Sequence, residues 1–339
     1  MAYLYESEIE EMAIEELQAL GYTYISGNDL TPDAAPLERK SFADVILRDR
    51  CLSALRRINP HLSDGAIESA LKALYQVAGT YQVTDNEKFH RYLTDGIPVE
   101  YRKGDDVVGD YAYLIDPSDS PGKNEFLAVN QFTIIEKGIN KRPDIILFVN
   151  GLPLVTFELK NAADLNATVK KAYEQLKTYK ATIPQLFSYN EICVISDGLE
   201  AKVGSYTAPF SRFSTWKTKD GLSDASPFED ELSVTLNGLF NRCTLIDYIL
   251  NFVAFEKTKI ENDEKKIIRI ETIKKIAAYH QYYAVNKAVA STIHAADKNG
   301  NKKAGVVWHT QGSGKSLSMV FYTGKLVKAM NNPTVIVIT

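Results

Sequence analysis

Apolar residues recur at helical spacing near the start of the chain. In the stretch 7–22 they are Ile9, Met12, Ala13, Leu17 and Leu20. This spacing predicts an amphipathic helix, and Gly21 is a typical stop signal. A second helix is predicted over 63–79, where Ser63 or Asp64 would cap the start and Gly79 would end it.

The middle of the chain changes to strand-like patterns. Short apolar or alternating runs at 107–116, 124–136 and 144–160 are separated by Gly, Pro, Asn and Asp, which predicts strands. Residues 168–181 return to a helical pattern, and residues 191–198 predict a further strand. This order of strands, helix and strand predicts a mixed α/β module.

The last third of the chain predicts a linker and the beginning of a second module. Residues 247–283 are rich in lysine and favour helices. Residues 305–309 then predict a buried strand, 317–330 a helix and 334–339 a second strand, with a turn at 331–333. We therefore expect one module at 1–250, a helical linker at 251–280 and a βαβ unit within 281–339.

Composition narrows the class of protein. Of the 339 residues, 45% are hydrophobic and 24% charged, which allows a substantial core and excludes a disordered chain. No apolar run approaches the ~18 residues of a membrane helix, and the acidic N-terminus does not resemble a secretory signal. Cys51, Cys193 and Cys243 are far apart and form no CxxC pair, which favours a reducing cytoplasm and argues against zinc.

Charge is distributed unevenly behind the formal net value of −4. Residues 256–339 carry a balance of +8, whereas residues 1–255 carry −12. This asymmetry predicts two modules with different electrostatic roles. We expect the acidic first module not to bind nucleic acid by bulk charge.

A glycine-rich segment carries the most specific signal. Its residues are Thr310, Gly312, Ser313, Gly314, Lys315 and Ser316. A loop of this kind between a strand and a helix N-terminus lets backbone N–H groups bind phosphate. Lys315 would reach the β- and γ-phosphates, and Ser316 would place its hydroxyl on Mg²⁺. The segment predicts ATP and Mg²⁺ as ligands, although His309 stands where the strict P-loop motif has glycine.

Hydrolysis of a nucleotide needs more than this loop. A P-loop ATPase requires a further carboxylate that holds Mg²⁺, and none of the 24 residues after Lys315 is Asp or Glu. We therefore expect a fragment that stops within its nucleotide-binding lobe. Gln281, 34 residues before Lys315, either contacts adenine or faces solvent on a helix.

A second signal combines two carboxylates and a lysine. Asp144 opens one predicted strand, and Glu158 and Lys160 close the next, on one face because side chains alternate along a strand. Carboxylates on neighbouring strands can hold Mg²⁺, which activates water for attack on a phosphodiester. Lys160 would orient that water or stabilise the developing charge.

The turn between these strands provides a test. A two-residue turn at Asn150 and Gly151 with regular pairing would place Asp144 opposite Phe157, facing away from Glu158. An odd-length loop or a bulge would place Asp144 directly across from Glu158. A shared metal site therefore predicts an odd-length loop or a bulge, despite the strong Asn-Gly signal for a two-residue turn.

Gln175 and Tyr179 follow the second strand. They lie four residues apart on the predicted helix and hence on one face. The Q-x-x-x-Y pattern after E-x-K resembles the RecB-like branch of PD-(D/E)xK nucleases. That resemblance implies that Gln175 and Tyr179 support the site or contact DNA.

Most of the chain resembles the N-terminal part of the R subunit of type I restriction enzymes. The resemblance rests on the segments ESEIEEMAIEELQALGY, RINPHLSDGAIESAL, NEFLAVNQFTI, RPDIILFVNGLPLVTFELKN, AYEQLKTYKATIPQLFSYN and GVVWHTQGSGKSLSMVF. It implies an α/β chain with a RecB-like nuclease domain, followed by the beginning of a RecA-like P-loop helicase domain. It also implies that Asp144 and Glu158 bind Mg²⁺ and that Lys160 assists catalysis.

The same resemblance implies an activity and partners. The activity is Mg²⁺-dependent cleavage of double-stranded DNA, coupled in the full-length protein to ATP-driven translocation. The partners are DNA and the modification and specificity subunits of a restriction complex. Two other readings remain open at this point: a stand-alone nuclease–helicase of DNA repair or another defence system, and an inactive docking fragment.

Two further assignments stay open. Nucleases of this superfamily often add an acid from an early helix, and Glu15 and Glu68 are both candidates, although each also fits a solvated helix position. The lysine-rich segment 257–275 fits either a solvated helix face or a track for DNA.

Overall fold

The computed structural model describes residues 5–79, 82–104, 106–118, 121–161, 169–261 and 267–338. Its α-helices are α1 (Glu6–Ala19), α2 (Arg48–Ile58), α3 (Asp64–Tyr75), α4 (Gln82–Asp95), α5 (Val169–Thr182), α6 (Pro184–Tyr189), α7 (Glu231–Leu239), α8 (Arg242–Asn251), α9 (Tyr279–Ala296) and α10 (Lys315–Ala329). No helix in these ranges is long and apolar enough to cross a membrane.

The strands are β1 (Thr23–Ser26), β2 (Ile97–Lys103), β3 (Asp106–Ala112), β4 (Phe126–Asn130), β5 (Ile134–Glu136), β6 (Ile139–Lys141), β7 (Ile145–Val149), β8 (Leu152–Leu159), β9 (Ile192–Ser196), β10 (Ala201–Gly204), β11 (Val253–Glu261) and β12 (Ile267–Ile276). Six of them form one mixed sheet in the order β1-β4-β7-β8-β9-β10. The β1–β4 and β8–β9 pairs are parallel, and the other pairs are antiparallel.

The centre of this sheet is the core of the protein. Every residue of β7, β8 and β9 is buried, and most of their side chains are apolar, as expected for strands covered on both faces. The polar exceptions are Thr156, Glu158 and Ser196. Helices α1, α5 and α6 pack against the sheet. The mixed α/β architecture predicted from the sequence is confirmed.

The two predicted N-terminal helices are confirmed, although α3 ends at Tyr75, before the predicted stop at Gly79. Helix α1 ends before Gly21, whose φ is +90°, and the side chain of Ser63 rather than Asp64 caps α3 by accepting the N–H of Ala66. Met12 was wrongly included in the apolar face of α1, because it is 44% exposed and Ile14 is buried instead.

The predicted helical linker at 251–280 is wrong over most of its length. Strands β11 and β12 form an antiparallel hairpin over these residues, and helix α9 begins only at Tyr279. Lys274, within the lysine-rich segment, is neither on a solvated helix nor exposed to DNA. Its ammonium is fully buried and donates to the Glu191 carboxylate (2.7 Å) and the Asn86 side chain (2.9 Å).

The predicted strands at 305–309 and 334–339 are not formed in the described residues. Both segments are irregular, and Trp308 (90%) and Ile338 (92%) are exposed rather than buried. A strand exists only through pairing, and no described strand pairs with either segment. The intervening helix α10 is confirmed and packs on α9. Thr168, Thr339 and residues 262–266, included in the predictions above, lie outside the described residues.

Candidate active site

The hairpin of β7 and β8 contains both a two-residue Asn-Gly turn and a bulge, which were alternatives in the prediction from the sequence. Asn150 and Gly151, with φ of 53° and 76°, form a two-residue turn, and Val149 pairs with Leu152. A bulge then shifts the register, because Phe148 pairs with Pro153 but Leu147 pairs with Val155. Beyond the bulge Ile145 pairs with Phe157, so the next position, Asp144, lies across from Glu158. The predicted bulge is confirmed.

Asp144 and Glu158 are buried at the end of this strand pair, at 6% and 1% exposure. The Leu159 N–H donates to Oδ2 of Asp144 (2.6 Å), and the Lys160 ammonium donates to Oε1 of Glu158 (2.7 Å). Oε2 of Glu158 is buried and has no hydrogen-bond partner in the described part of the chain. A buried carboxylate oxygen without a donor is costly, and a cation is one ligand that satisfies it.

Burial also changes the charge state of both acids. It raises the pKa of Asp144 to about 6, although the Leu159 N–H and Lys160 oppose the increase. It raises the pKa of Glu158 to about 8, with the neighbouring Asp144 charge adding to the effect. The pKa of Lys160 is raised overall, because Glu158 and Asp144 outweigh the lowering by burial. The pair therefore holds protons that a bound cation would displace.

Helix α1 brings near these carboxylates an acid that the sequence predictions did not include. Glu10 carries Oε1 2.7 Å from Nδ2 of Asn130 and Oε2 2.6 Å from Nε2 of Gln131, and that same amide lies 3.4 Å from Oδ1 of Asp144. Glu6, one turn earlier, lies 3.6 Å from the Lys160 ammonium. The sequence did contain a signal for these acids. Glu6 and Glu10 lie three residues before and one residue after Ile9, which faces the core, so both lie near the inner face of α1.

The two acids considered from the sequence are elsewhere. Glu15 is exposed on α1, and Glu68 is an exposed residue of α3 paired with Arg48 (3.3 Å). Both Glu15 and Glu68 are therefore solvated helix residues, and neither joins the carboxylates of the candidate site.

Gln175 and Tyr179 lie on α5, which packs against β8. The buried Tyr179 hydroxyl donates to the Arg142 carbonyl (3.1 Å) and lies beside the Glu158 carboxylate, whose pKa it lowers. Burial raises the pKa of Tyr179, and Gln175, one turn earlier on α5, opposes the increase. The structure therefore brings Tyr179 to the carboxylates, with Gln175 behind it.

The donor set fits a hard cation rather than a soft one. Asp144, Glu158 and the nearby Glu10 offer only oxygen, the ligand that Mg²⁺ and Ca²⁺ prefer. Within the described ranges no three His, Cys, Asp or Glu side chains converge as a complete metal-binding group. A cation here would therefore complete its coordination with water and phosphate oxygens, as Mg²⁺ usually does.

The glycine-rich loop lies at the start of α10. Gly312 and Gly314 have φ of 83° and 79°, and the helix begins at Lys315. The Lys315 ammonium donates to the carbonyls of His309 (3.0 Å) and Thr310 (3.1 Å) across the loop. The loop and the N-terminus of a 15-residue helix are therefore in place, without the predicted strand before them.

Gln281 connects the start of α9 to this loop. It is buried, and its Nε2 donates to the carbonyl of Gly314 (3.0 Å) and to Oγ of Ser318 (3.3 Å). The solvent-facing alternative for Gln281 is wrong. Its role toward adenine stays a prediction.

The fold and these side chains describe a mixed α/β protein with two acids and a lysine at one end of a strand pair and a separate phosphate-type loop. Residues 3–212 match the family described as the N terminus of type I restriction enzyme R protein, and residues 280–339 match the SWI2/SNF2 ATPase family. The first match covers more than half of the chain. The chain therefore belongs to the type I restriction enzyme R protein family.

Similar proteins carry consistent names. The type I restriction enzyme HindI endonuclease subunit of Haemophilus influenzae is 42% identical over 341 residues, covering 99% of this chain and 31% of the relative. The putative type I restriction enzyme MjaIXP endonuclease subunit of Methanocaldococcus jannaschii is 34% identical, covering 98% and 32%. A Staphylococcus aureus endonuclease subunit, SauCOLORF180P, is 28% identical over 94% of this chain. The chain spans about a third of the length of these relatives.

Proposed function

We propose that residues 1–250 are a RecB-like endonuclease domain of the PD-(D/E)xK type, with Asp144, Glu158 and Lys160 as its catalytic residues and double-stranded DNA as its substrate. The observation that carries the proposal is the bulge in the β7–β8 hairpin. It sets Asp144 across from Glu158, and among the described residues one buried Glu158 oxygen has no hydrogen-bond donor, while Lys160 binds the other.

Each side chain has a separate role in phosphodiester hydrolysis. Asp144 and Glu158 would hold Mg²⁺, which polarises the phosphate and lowers the pKa of a bound water. Lys160, tethered to Glu158, is placed to orient the attacking water and to stabilise charge on the phosphate. Gln175 and Tyr179 would support the site from α5, where the buried Tyr179 lies beside Glu158. Of the two, the half-buried Gln175 is the more accessible to DNA.

We further propose that the loop from Thr310 to Ser316 binds ATP with Mg²⁺ as the beginning of a RecA-like lobe. The helix N-terminus and its two left-handed glycines support this, together with the bond between Gln281 and Gly314. Lys315 would leave its loop carbonyls for the β- and γ-phosphates, and Ser316 would bind the cation. Calorimetry with ATP tests this function, with Lys315→Ala as the variant that we expect to lose binding.

In the whole protein we propose a type I site-specific deoxyribonuclease in which ATP-driven translocation is coupled to cleavage. Its partners would be the modification (methyltransferase) and specificity subunits of a cytoplasmic restriction complex. The names of the relatives favour this over a stand-alone nuclease–helicase. Co-purification with a methyltransferase subunit distinguishes the two.

Nicking of supercoiled plasmid in the presence of Mg²⁺ tests the nuclease proposal. We expect Lys160→Ala to reduce the nicking rate by about 10²–10³-fold, because one charge-stabilising donor is removed. Lys177→Ala is the matched control, since Lys177 is an exposed lysine of α5 whose ammonium pairs with Glu174 on the surface.

The outcomes separate the enzyme from an inactive docking fragment. Equal nicking by wild type and Lys160→Ala would refute the role of Lys160. Absence of nicking by wild type, in a sample that still binds Mn²⁺, would favour the docking fragment.

A further inference from the structure

Two neighbouring amides hold the Glu10 carboxylate beside the candidate active site. Nδ2 of Asn130 donates to one oxygen (2.7 Å), and Nε2 of Gln131 donates to the other (2.6 Å). Side chains of consecutive strand residues normally point to opposite faces of a sheet. Two such side chains on a single carboxylate therefore require a special backbone at this point.

The backbone supplies that arrangement at the end of β4. Gln131 has φ of 50°, in the left-handed region, which breaks the alternation directly after Asn130. Gly27 packs against this peptide, since a Cβ at Gly27 would collide with the carbonyl oxygens of Asn130 and Gln131. Such a left-handed, non-glycine conformation persists only where its surroundings enforce it, and these sites often serve function.

Further contacts fix the direction of both amides. The Tyr24 hydroxyl donates to Oδ1 of Asn130 (3.1 Å), which turns Nδ2 of Asn130 toward Glu10. The Gln131 backbone N–H donates to the Asp144 carbonyl (2.9 Å), and its side-chain amide lies between Glu10 and Asp144. Gln131 thus joins the acid of α1 to the acid of the strand pair.

We propose that Asn130 and Gln131 are positioning residues that hold Glu10 as an outer acidic group of the Asp144–Glu158 cation site. Each Glu10 oxygen accepts one amide and keeps a lone pair for a water of the cation's hydration shell. Ligand-orienting groups of this kind typically contribute 10- to 100-fold to metal affinity. The inference rests on the proposed cation site and adds a third acid to it.

Calorimetric titration with Mn²⁺ alone tests the proposal, using the protein, Gln131→Met and Glu10→Gln. Gln131→Met keeps the side-chain length and removes the amide. We expect either change to raise the Mn²⁺ dissociation constant by about 10- to 100-fold, and the double variant to bind no more weakly than the weaker single variant. Gln18→Met, at an exposed position of α1, is the matched control and should bind Mn²⁺ like the wild type.

The variant Asp144→Asn distinguishes failure of the positioning role from failure of the cation site itself. Normal Mn²⁺ binding by Gln131→Met and Glu10→Gln, with binding lost in Asp144→Asn, would overturn the positioning role and leave the cation site standing. Equal binding by wild type and Asp144→Asn would overturn the cation site and this inference together. A lower melting temperature of Gln131→Met with unchanged Mn²⁺ affinity would show a purely structural role and would also overturn it.

Discussion

Asp144 and Glu158 are acids whose surroundings disfavour their charged forms. Both are buried, and the charge of Asp144 adds to the cost of charging Glu158. Lys160 offsets part of this cost, but one Glu158 oxygen has no donor in the part of the chain that the structure describes. At the scale of single residues, the proposed cation would therefore bind in exchange for protons.

This exchange predicts a pH-dependent effect of Mg²⁺ on stability. The pKa of Glu158 is about 8 in the folded chain against an ordinary value of 4.5, so the folded state binds more protons than the unfolded state between these values. The free energy of unfolding should therefore fall as pH rises through this range, by the contribution of Glu158. Added Mg²⁺ should raise the melting temperature at about pH 8 and much less at about pH 6.

Thermal denaturation with and without Mg²⁺ at the two pH values measures this effect. Glu158→Gln is the control, since it cannot ionise and should lose the Mg²⁺-dependent increase. An equal increase at both pH values, or its persistence in Glu158→Gln, would contradict the linkage between proton loss and cation binding.

At the scale of elements, the β7–β8 hairpin sets the site through its turn and its bulge. The Asn-Gly signal correctly predicted the turn, and the chemistry of two carboxylates correctly predicted the irregular register. The sequence could not place the bulge itself, because both faces of β8 are buried, so neither register would expose an apolar side chain to solvent.

Helix α4 and strand β12 are two of the elements that the sequence did not predict correctly, and the structure shows the physical reasons. Helix α4 buries Asn86 and His90, which contact the buried ion pair of Glu191 with Lys274, so its inner face looks polar in the sequence. In β12 the spacing of Ile270, Ile273 and Ile276 imitates a helical period. The β-branched composition of this segment was the better signal.

The turn of this hairpin leads to an element-scale prediction. Gly151 has φ of +76°, and a Cβ there would collide with the Leu47 carbonyl and the Cys51 N–H. Gly138→Ala is the matched control, because Gly138 has φ of +80° and open space around it. We expect Gly138→Ala to lower the free energy of unfolding by about 1–2 kcal/mol, and Gly151→Ala to lower it by about 1–3 kcal/mol more.

Chemical denaturation of the two variants gives these values. Because the turn fixes the register of Glu158, Gly151→Ala should also reduce Mg²⁺-dependent nicking, whereas Gly138→Ala should not. Equal stability losses in the two variants would show that the close packing around Gly151 does not constrain the hairpin.

At the scale of the whole molecule, a buried ion pair attaches the β11–β12 hairpin to the sheet module. Lys274 of β12 donates to Glu191, which precedes β9, and Glu191 also contacts Nδ1 of His90 in α4 (3.0 Å). Burial lowers the pKa of the Lys274 ammonium, and the neighbouring Glu191 opposes this effect. The hydrogen bond between the two side chains therefore favours the charged form of Lys274. The hairpin is therefore part of the same packed body and not a separate helical linker.

Loss of this lysine should destabilise the molecule strongly. Lys274→Ala leaves Glu191 buried without its partner, and we expect the free energy of unfolding to fall by about 3–5 kcal/mol. Lys275→Ala, one residue along, removes a surface pair with Glu256 and should change it by less than about 1 kcal/mol. Urea denaturation of both variants compares the two losses, and similar values would contradict a joining role for Lys274.

The central claim is that Asp144 and Glu158 share one divalent cation. The most direct measurement is an anomalous difference map from a crystal of the protein containing Mn²⁺. We predict a peak within bonding distance of carboxylate oxygens of both Asp144 and Glu158, and its loss in Asp144→Asn. A map without a peak between these oxygens, or with Mn²⁺ bound by only one of the two acids, would contradict the account.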